Sequence, residues 1–284
     1  HIFESLTNRD VVSWGAMITG YALHGHDVNA FELFRRMQQE GIEPNGSTIL
    51  YILKSCGATG SIEQGRLVHH QFSSTGLPID VVVGSTLVEM YANCGSLDEA
   101  RNIFDYMPNK NIVSWGALIA GYAQEGYSHQ ALRCFEQMQR EGLCANEVTF
   151  LSLLNACNHA GKLDEAQTYY ENMTGKYGVI PKIEHHTCMV VISGFAGCFS
   201  KALSVIKTMP SLDDASVWLA LLVSCMKWRK VELARLAFDK AIELDNHLAP
   251  AYILMSNIYA AAGMYEDEEK VEVMRINNCL LSEG

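Results

Sequence analysis

The sequence predicts an all-α protein, a solenoid of stacked helix-turn-helix repeats. Three observations carry this. The stretch "VVSWGAMITGYALHG" (11–25) returns as "IVSWGALIAGYAQEG" (112–126), 101 positions later. Apolar residues recur at helical spacing within each copy, and glycines punctuate them at regular places.

The 101-residue interval resolves into three unequal units. Residues 11–45 and 112–146 align without gaps and share 17 identities over 35 positions, which fixes the register of the rest. Residues 46–65 align with 147–166, and 81–111 with 183–214. The predicted order is therefore a tail (1–10), then units 11–45, 46–80, 81–111, 112–146, 147–182 and 183–214, then a divergent segment, 215–284. The opening "HIFESLTNRD" matches "NIFDYMPNKN" (102–111), so the chain reads as a fragment that starts within a repeat.

Each unit predicts two amphipathic helices. In 112–146 the first carries Trp115, Leu118, Ile119 and Tyr122, and the second Ala131, Leu132, Phe135 and Met138. Gly126 breaks between them and Gly142 closes the unit. Neither helix can bury its stripe alone, so neighbouring units must stack, with the tryptophans and methionines as core between repeats. In 183–214 the stretch "VVISGFAGCFS" places Gly194 and Gly197 inside an expected helix, each costing ~1 kcal/mol relative to alanine. Residues 215–284 again read as helix pairs, with a tetratricopeptide-like pattern over Ala251–Tyr265. "EDEEK" (266–270) reads as a solvated helix face.

Composition narrows the function classes. Apolar residues make up 49% of the 284 positions and charged residues 19%, enough for a core and too few charges for disorder. The nine cysteines form no C-x-x-C and read as buried thiols of a reducing compartment. The apolar runs fall short of the ~18–20 residues that span a membrane, so no membrane partner is expected. The formal charge of −11, divided as −8 over 1–214 and −3 over 215–284, argues against generic phosphate-backbone binding. Nucleic-acid recognition would have to rest on base contacts and a local basic face.

Catalytic and metal motifs are missing: there is no G-x-x-x-x-G-K-[ST], G-x-S-x-G or G-x-G-x-x-G. "HHTC" (185–188) brings two histidines and a cysteine together, but adjacent residues point different ways on a helix. His69 and His70 share that defect. No enzyme, cofactor or metal is expected.

The three repeat types, "VSWGALIAGYAQEGYSHQALRCFEQMQREG", "VTFLSLLNACNHAGKLDEA" and "VGSTLVEMYANCGSLDEARNIFDYMPNKN", resemble those of plant pentatricopeptide repeat (PPR) proteins of the PLS subclass, which alternate standard, long and short repeats. The resemblance covers essentially the whole chain, and 215–284 is similar to the tetratricopeptide-like E motifs of RNA-editing members. It implies a right-handed superhelical solenoid and sequence-specific binding of single-stranded organellar RNA, one base per repeat, in a mitochondrion or chloroplast. The implied role is to select a cytidine for deamination to uridine, with a deaminase acting in trans through 215–284. The editing deaminases carry H-x-E and C-x-x-C around zinc, which this chain lacks.

In such proteins the fifth and last residues of a repeat read the base edge, and an apolar second residue sandwiches the base. Carried over, the reading pairs are Ser85 with Asn111, implying adenine, and Thr187 with Asp214, implying guanine. Gly15 with Asn45 and Gly116 with Asn146 lack the usual polar fifth residue. Leu50 with Asp80 and Leu151 with Lys182 pair a side chain that cannot hydrogen-bond a base. Val12, Val82 and Val113 fit the sandwiching position; Ser47 and Glu184 do not. Each Asn or Asp that closes a repeat is also a natural N-cap for the next helix. Two rival readings remain: a tetratricopeptide-like protein-binding scaffold, and a decayed repeat array that folds poorly.

Overall fold

A computed structural model describes residues 3, 9–74, 76, 78–211 and 213–280. The opening decapeptide, expected to be the tail of a short repeat, lies mostly outside the described residues. Among those described there are sixteen α-helices and no strand. The chain divides into two compact units, His1–Cys144 and Ala145–Gly284. The first holds α1 (Val11–Leu23), α2 (Asp27–Gln39), α3 (Gly46–Thr59), α4 (Ile62–Ser74), α5 (Val81–Asn93), α6 (Leu97–Tyr106), α7 (Ile112–Gln124) and α8 (Ser128–Arg140). The second holds α9 (Glu147–Ala160), α10 (Leu163–Gly175), α11 (Ile183–Phe195), α12 (Phe199–Thr208), α13 (Ser216–Trp228), α14 (Val231–Leu244), α15 (Ala249–Ala262) and α16 (Tyr265–Arg275), followed by a π-helical turn, Ile276–Leu280.

Within each unit consecutive helices form antiparallel hairpins, and the first helix of one hairpin packs on the first helix of the next. In the first unit α1 packs on α3, α3 on α5 and α5 on α7. In the second, α9 packs on α11, α11 on α13 and α13 on α15. These layered contacts are what the amphipathic stripes require, since a lone hairpin leaves half its apolar surface wet. Trp115, Leu118, Ile119, Ala131, Phe135 and Met138 are buried, as their spacing predicts. Gly126, with φ of +76°, turns the chain between α7 and α8 in a conformation that a Cβ disfavours. Arg229, after α13, takes the same role with φ of 51°, the single non-glycine to do so among the described residues.

One contact recurs at the 101-residue interval. Phe3 meets Trp14 edge-on with ring centroids 4.9 Å apart, and Phe104 meets Trp115 in the same way at 4.5 Å. A cation completes each cluster: the Arg9 guanidinium lies 5.2 Å from the Phe3 ring, and the Lys110 ammonium 5.2 Å from the Phe104 ring. A short repeat is thus keyed to the standard repeat after it by an aromatic pair.

The two glycines of 183–214 differ from expectation. Gly197 is not inside a helix: α11 stops at Phe195, and Gly197 supplies the left-handed turn, with φ of +76°. Gly194 is helical, and a Cβ there would collide with the Ser224 side chain of α13. Its small size lets two first helices approach closely, so neither glycine marks decay.

Candidate nucleic-acid interface

Four first helices start with one local geometry, set by capping. Asn45, Asp80, Asn111 and Asn146, each the last residue of a unit, adopt an extended backbone and turn the side chain onto the exposed N–H groups of the following helix. The N-cap of α13 is instead Ala215, with Asp214 one residue before it. Asn45 Oδ1 accepts from Thr48 N at 2.9 Å and from Thr48 Oγ1 at 2.9 Å. Asp80 Oδ1 accepts from Val82 N and Val83 N at 2.9 and 2.8 Å. Asn111 Oδ1 accepts from Ser114 N, and Asn146 Oδ1 from Thr149 N, both at 2.9 Å. Asp214 Oδ1 accepts from Ser216 N at 2.7 Å, and its bonds to Ser216 hold its carboxyl below the usual carboxylate range.

Lys182 departs from this pattern because an ammonium cannot accept a hydrogen bond. Its backbone N donates to His185 Nδ1 at 3.1 Å, which leaves Nε2–H to donate to Glu147 O at 2.8 Å. The Lys182 ammonium pairs with Glu147 at 2.8 Å. His186 bonds Tyr170 Oη through Nδ1 at 2.5 Å, and His69 bonds Tyr91 Oη at 2.9 Å. Burial holds His69 and His186 below the usual imidazole range. No cluster of three or more potential metal ligands occurs among the described residues. None of their helices is long and apolar enough to cross a membrane.

The fifth residues fall into three groups. Ser85, only 5% exposed, directs Oγ at Val81 O at 2.6 Å and lies 3.2 Å from Asn111 Oδ1, so this pair is in contact. Gly15 is buried; a Cβ on it would lie 2.9 Å from Thr48 Oγ1 and 3.9 Å from Asn45 Nδ2, so the glycine sits beside its last-position amide with no room for a side chain. Gly116 belongs to the first unit and Asn146 to the second. Leu50 and Leu151 are half-buried.

Thr187 donates to Ile183 O at 2.9 Å and lines a cavity of about 340 Å³ with Leu151, Asn155, Glu184, Cys188 and Ser216. Asp214 lines a different cavity, of about 310 Å³, with Lys182, His186, Met209 and Pro210. Ile183 forms part of both walls.

The second residues are consistently open. Val12, Val82 and Val113 are 67, 54 and 52% exposed, although Trp14, Val83 and Trp115, one or two positions further along the same helices, are buried. Val148 holds the same register in the second unit and is 57% exposed. The repeat alignment contained that position, and sequence reasoning left it out. Ser47 and Glu184 are also exposed.

Comparison with known proteins matches these elements. A model described as PPR repeat family matches residues 9–58 and 110–159, a PPR repeat model matches 85–112 and 148–177, and an E motif model matches 228–279. The chain is 41% identical over 265 residues to a mitochondrial pentatricopeptide repeat-containing protein of Arabidopsis thaliana, covering 93% of this chain and 48% of that protein. It is 36% identical over 274 residues to the chloroplastic protein CRR2 of the same plant, covering 96% of this chain and 42% of the relative. The chain thus spans about half or less of the length of these relatives. Among solved structures it is similar to the pentatricopeptide repeat protein PPR10 in complex with an 18-nt psaJ RNA element, with a TM-score of 0.64 and 16% identity over 96% of this chain and 46% of that one. A tetratricopeptide repeat protein from Parabacteroides merdae aligns with a TM-score of 0.55 and 13% identity, over 87% of this chain and 98% of that one. At these identities both likenesses show the helical-repeat fold.

Proposed function

Because the chain belongs to the pentatricopeptide repeat family and carries its C-terminal E motif, we propose that it binds single-stranded RNA, one base per helix pair, as a site-recognition factor for cytidine-to-uridine editing in a mitochondrion or chloroplast. The observation that carries this reading is the exposed valine at the second position, Val12, Val82, Val113 and Val148 in four of the six repeats, beside a hydrogen-bonding Asp or Asn side chain at the helix entrance. An exposed apolar surface of that size suits the face of an unpaired base, and the neighbouring polar group suits its edge.

Ser85 with Asn111 suits adenine. The hydroxyl and the amide oxygen already face each other, so the buried Ser85 orients the Asn111 amide and leaves its Nδ2–H groups to donate to adenine N1. Gly15 with Asn45, Gly116 with Asn146, and Asp80 in the long repeat contribute through the capping residue alone. The repeat that holds Thr187 suits guanine. If repeats run from N to C along RNA from 5′ to 3′, the two bases are separated by two nucleotides.

The segment 215–284, including the stretch matched by the E motif, would recruit the deaminase and other editing proteins. Gel-shift titration against single-stranded RNA carrying A-x-x-G and against a shuffled control tests the reading. We expect tighter binding to the first; equal binding overturns it. The rival is a protein-binding tetratricopeptide-like scaffold, favoured by the charge of −11. Peptide capture without RNA binding at low salt would establish it.

A further inference from the structure

The bond between Asn45 and Gly46 is the only Asn–Gly step in the chain, and it falls at the entrance of α3. The backbone nitrogen that follows an asparagine can attack the side-chain Cγ, and a glycine there has no Cβ to block the approach. Gly46 is exposed, and nothing lies within 4 Å of the place a Cβ would occupy. Its N–H is the first of α3, one of the helix-start donors that have no partner within the helix. The positive end of the helix dipole favours the negative charge this nitrogen carries once it loses its proton. Three hydrogen bonds oppose the reaction. Asn45 Oδ1 accepts from Ser47 Oγ at 2.8 Å and from Thr48 N and Thr48 Oγ1 at 2.9 Å each, which holds the side chain in its capping position.

The second copy of the repeat provides the contrast. Asn146 caps α9 through the same two bonds, from Thr149 N and Thr149 Oγ1, but Glu147 follows it and Val148 stands where Ser47 donates. Asn111, which caps α7, is followed by the β-branched Ile112. We propose that Asn45–Gly46 is a self-modification site, at which the folded chain deamidates at a rate set by opening of the α3 cap. Gly46 N gives its proton to hydroxide and bonds to Asn45 Cγ. The Cγ–Nδ2 bond breaks, and Nδ2 takes a proton from water and leaves as ammonia. The cyclic imide then adds a water molecule. Addition at Cγ yields aspartate, and addition at the Asn45 main-chain carbonyl yields isoaspartate; nothing is oxidised or reduced. Aspartate keeps an oxygen for Thr48 N and adds a charge that suits the helix start. Isoaspartate routes the main chain through Cγ, which lengthens it by a methylene group and removes the cap. If Asn45 meets an RNA base, either product exchanges amide donors for acceptors there, but the chemistry does not depend on RNA binding.

Peptide mapping by mass spectrometry tests this on the full chain, incubated folded at mildly alkaline pH, with Asn146 as a reference in the same molecule. The readout is the mass difference between an amide and a carboxyl group, and chromatography separates aspartate from isoaspartate. Asn45 should convert several-fold faster than Asn146, and G46A should bring it down to the Asn146 rate. S47A and T48V each remove one bond of the cap and should speed conversion roughly 5-fold, the factor that corresponds to losing one hydrogen bond. Thr48 is buried and Ser47 is exposed, so S47A carries the test of the cap if T48V disturbs folding. Conversion of Asn45 no faster than that of Asn146, or a wild-type rate in G46A, overturns the site. An unchanged or slower rate in S47A overturns the control by the cap.

Discussion

The indole Nε1 of Trp115 donates to Glu141 Oε2 at 3.1 Å. Trp14, its counterpart 101 positions earlier, has its Nε1 buried without a hydrogen-bond partner, because Glu40, the counterpart of Glu141, pairs with Arg9 at 3.3 Å. Both rings are fully buried, so the two sites differ in hydrogen bonding more than in packing. Trp115→Phe should therefore cost about 1–3 kcal/mol more than Trp14→Phe, since the first loses a bond to a charged acceptor and the second removes an unsatisfied donor. Urea denaturation of the two variants checks this; equal costs would refute it.

Glycine substitutions should have opposite signs at two helical positions. Gly194→Ala forces a methyl group into the Ser224 side chain and should destabilise by about 1–3 kcal/mol. Gly20→Ala meets nothing within 4 Å in α1 and should stabilise by about 0.5–1 kcal/mol. Thermal melts of the two variants report the sign directly.

Stability should fall on mild acidification. Burial lowers the His69 and His186 imidazoles from 6.5, with Glu99 opposing the shift at His69. In the unfolded chain both rings bind protons as pH falls through 6.5, whereas in the folded protein they do so only at lower pH. Stability is thus fully present above that pH and declines below it. The urea midpoint should drop between pH 7 and pH 5, and a variant carrying His69→Gln and His186→Gln should show a flatter profile. Glu99, held below the usual carboxylate range chiefly by its bond to Arg66, adds a separate loss in the acid carboxylate range.

Asn111→Asp should separate recognition from folding. Aspartate keeps an oxygen on Ser114 N and places a negative charge at a helix N-terminus, so the melting temperature should hold. It loses the Nδ2–H donors, so base preference at that repeat should move from adenine towards guanine. Asn111→Ala instead should cost about 1 kcal/mol through the lost cap. A melt paired with RNA titration distinguishes the three proteins.

The helices were legible because their signals are local. Spacing alone marks Trp115, Leu118 and Met138 as core, and Gly126 as a turn. Gly197 was misjudged because a helix end and a helix interior look alike when flanking residues are apolar on both sides. The candidate interface was legible in register but not in access. Nothing within one repeat reveals that Ser85 is nearly inaccessible, since the helices that cover it come from elsewhere in the stack. Nor does register show that Thr187 and Asp214 line separate cavities, or that Glu184 shares one with Asn155. These facts depend on side chains about 25–40 positions apart, beyond the reach of periodicity.

The helix entrances constrain how such a chain could drift toward a new target. A residue that must start a helix is drawn from the short polar side chains, so changes at Asn45, Asp80, Asn111 and Asn146 are filtered by folding before any ligand tests them. Exchange between amide and carboxylate passes that filter, and most other replacements do not. Lys182 shows a way around it: where His185 ties the helix entrance by accepting from the Lys182 N–H, the entrance residue three positions earlier carries a cation in place of a short polar side chain.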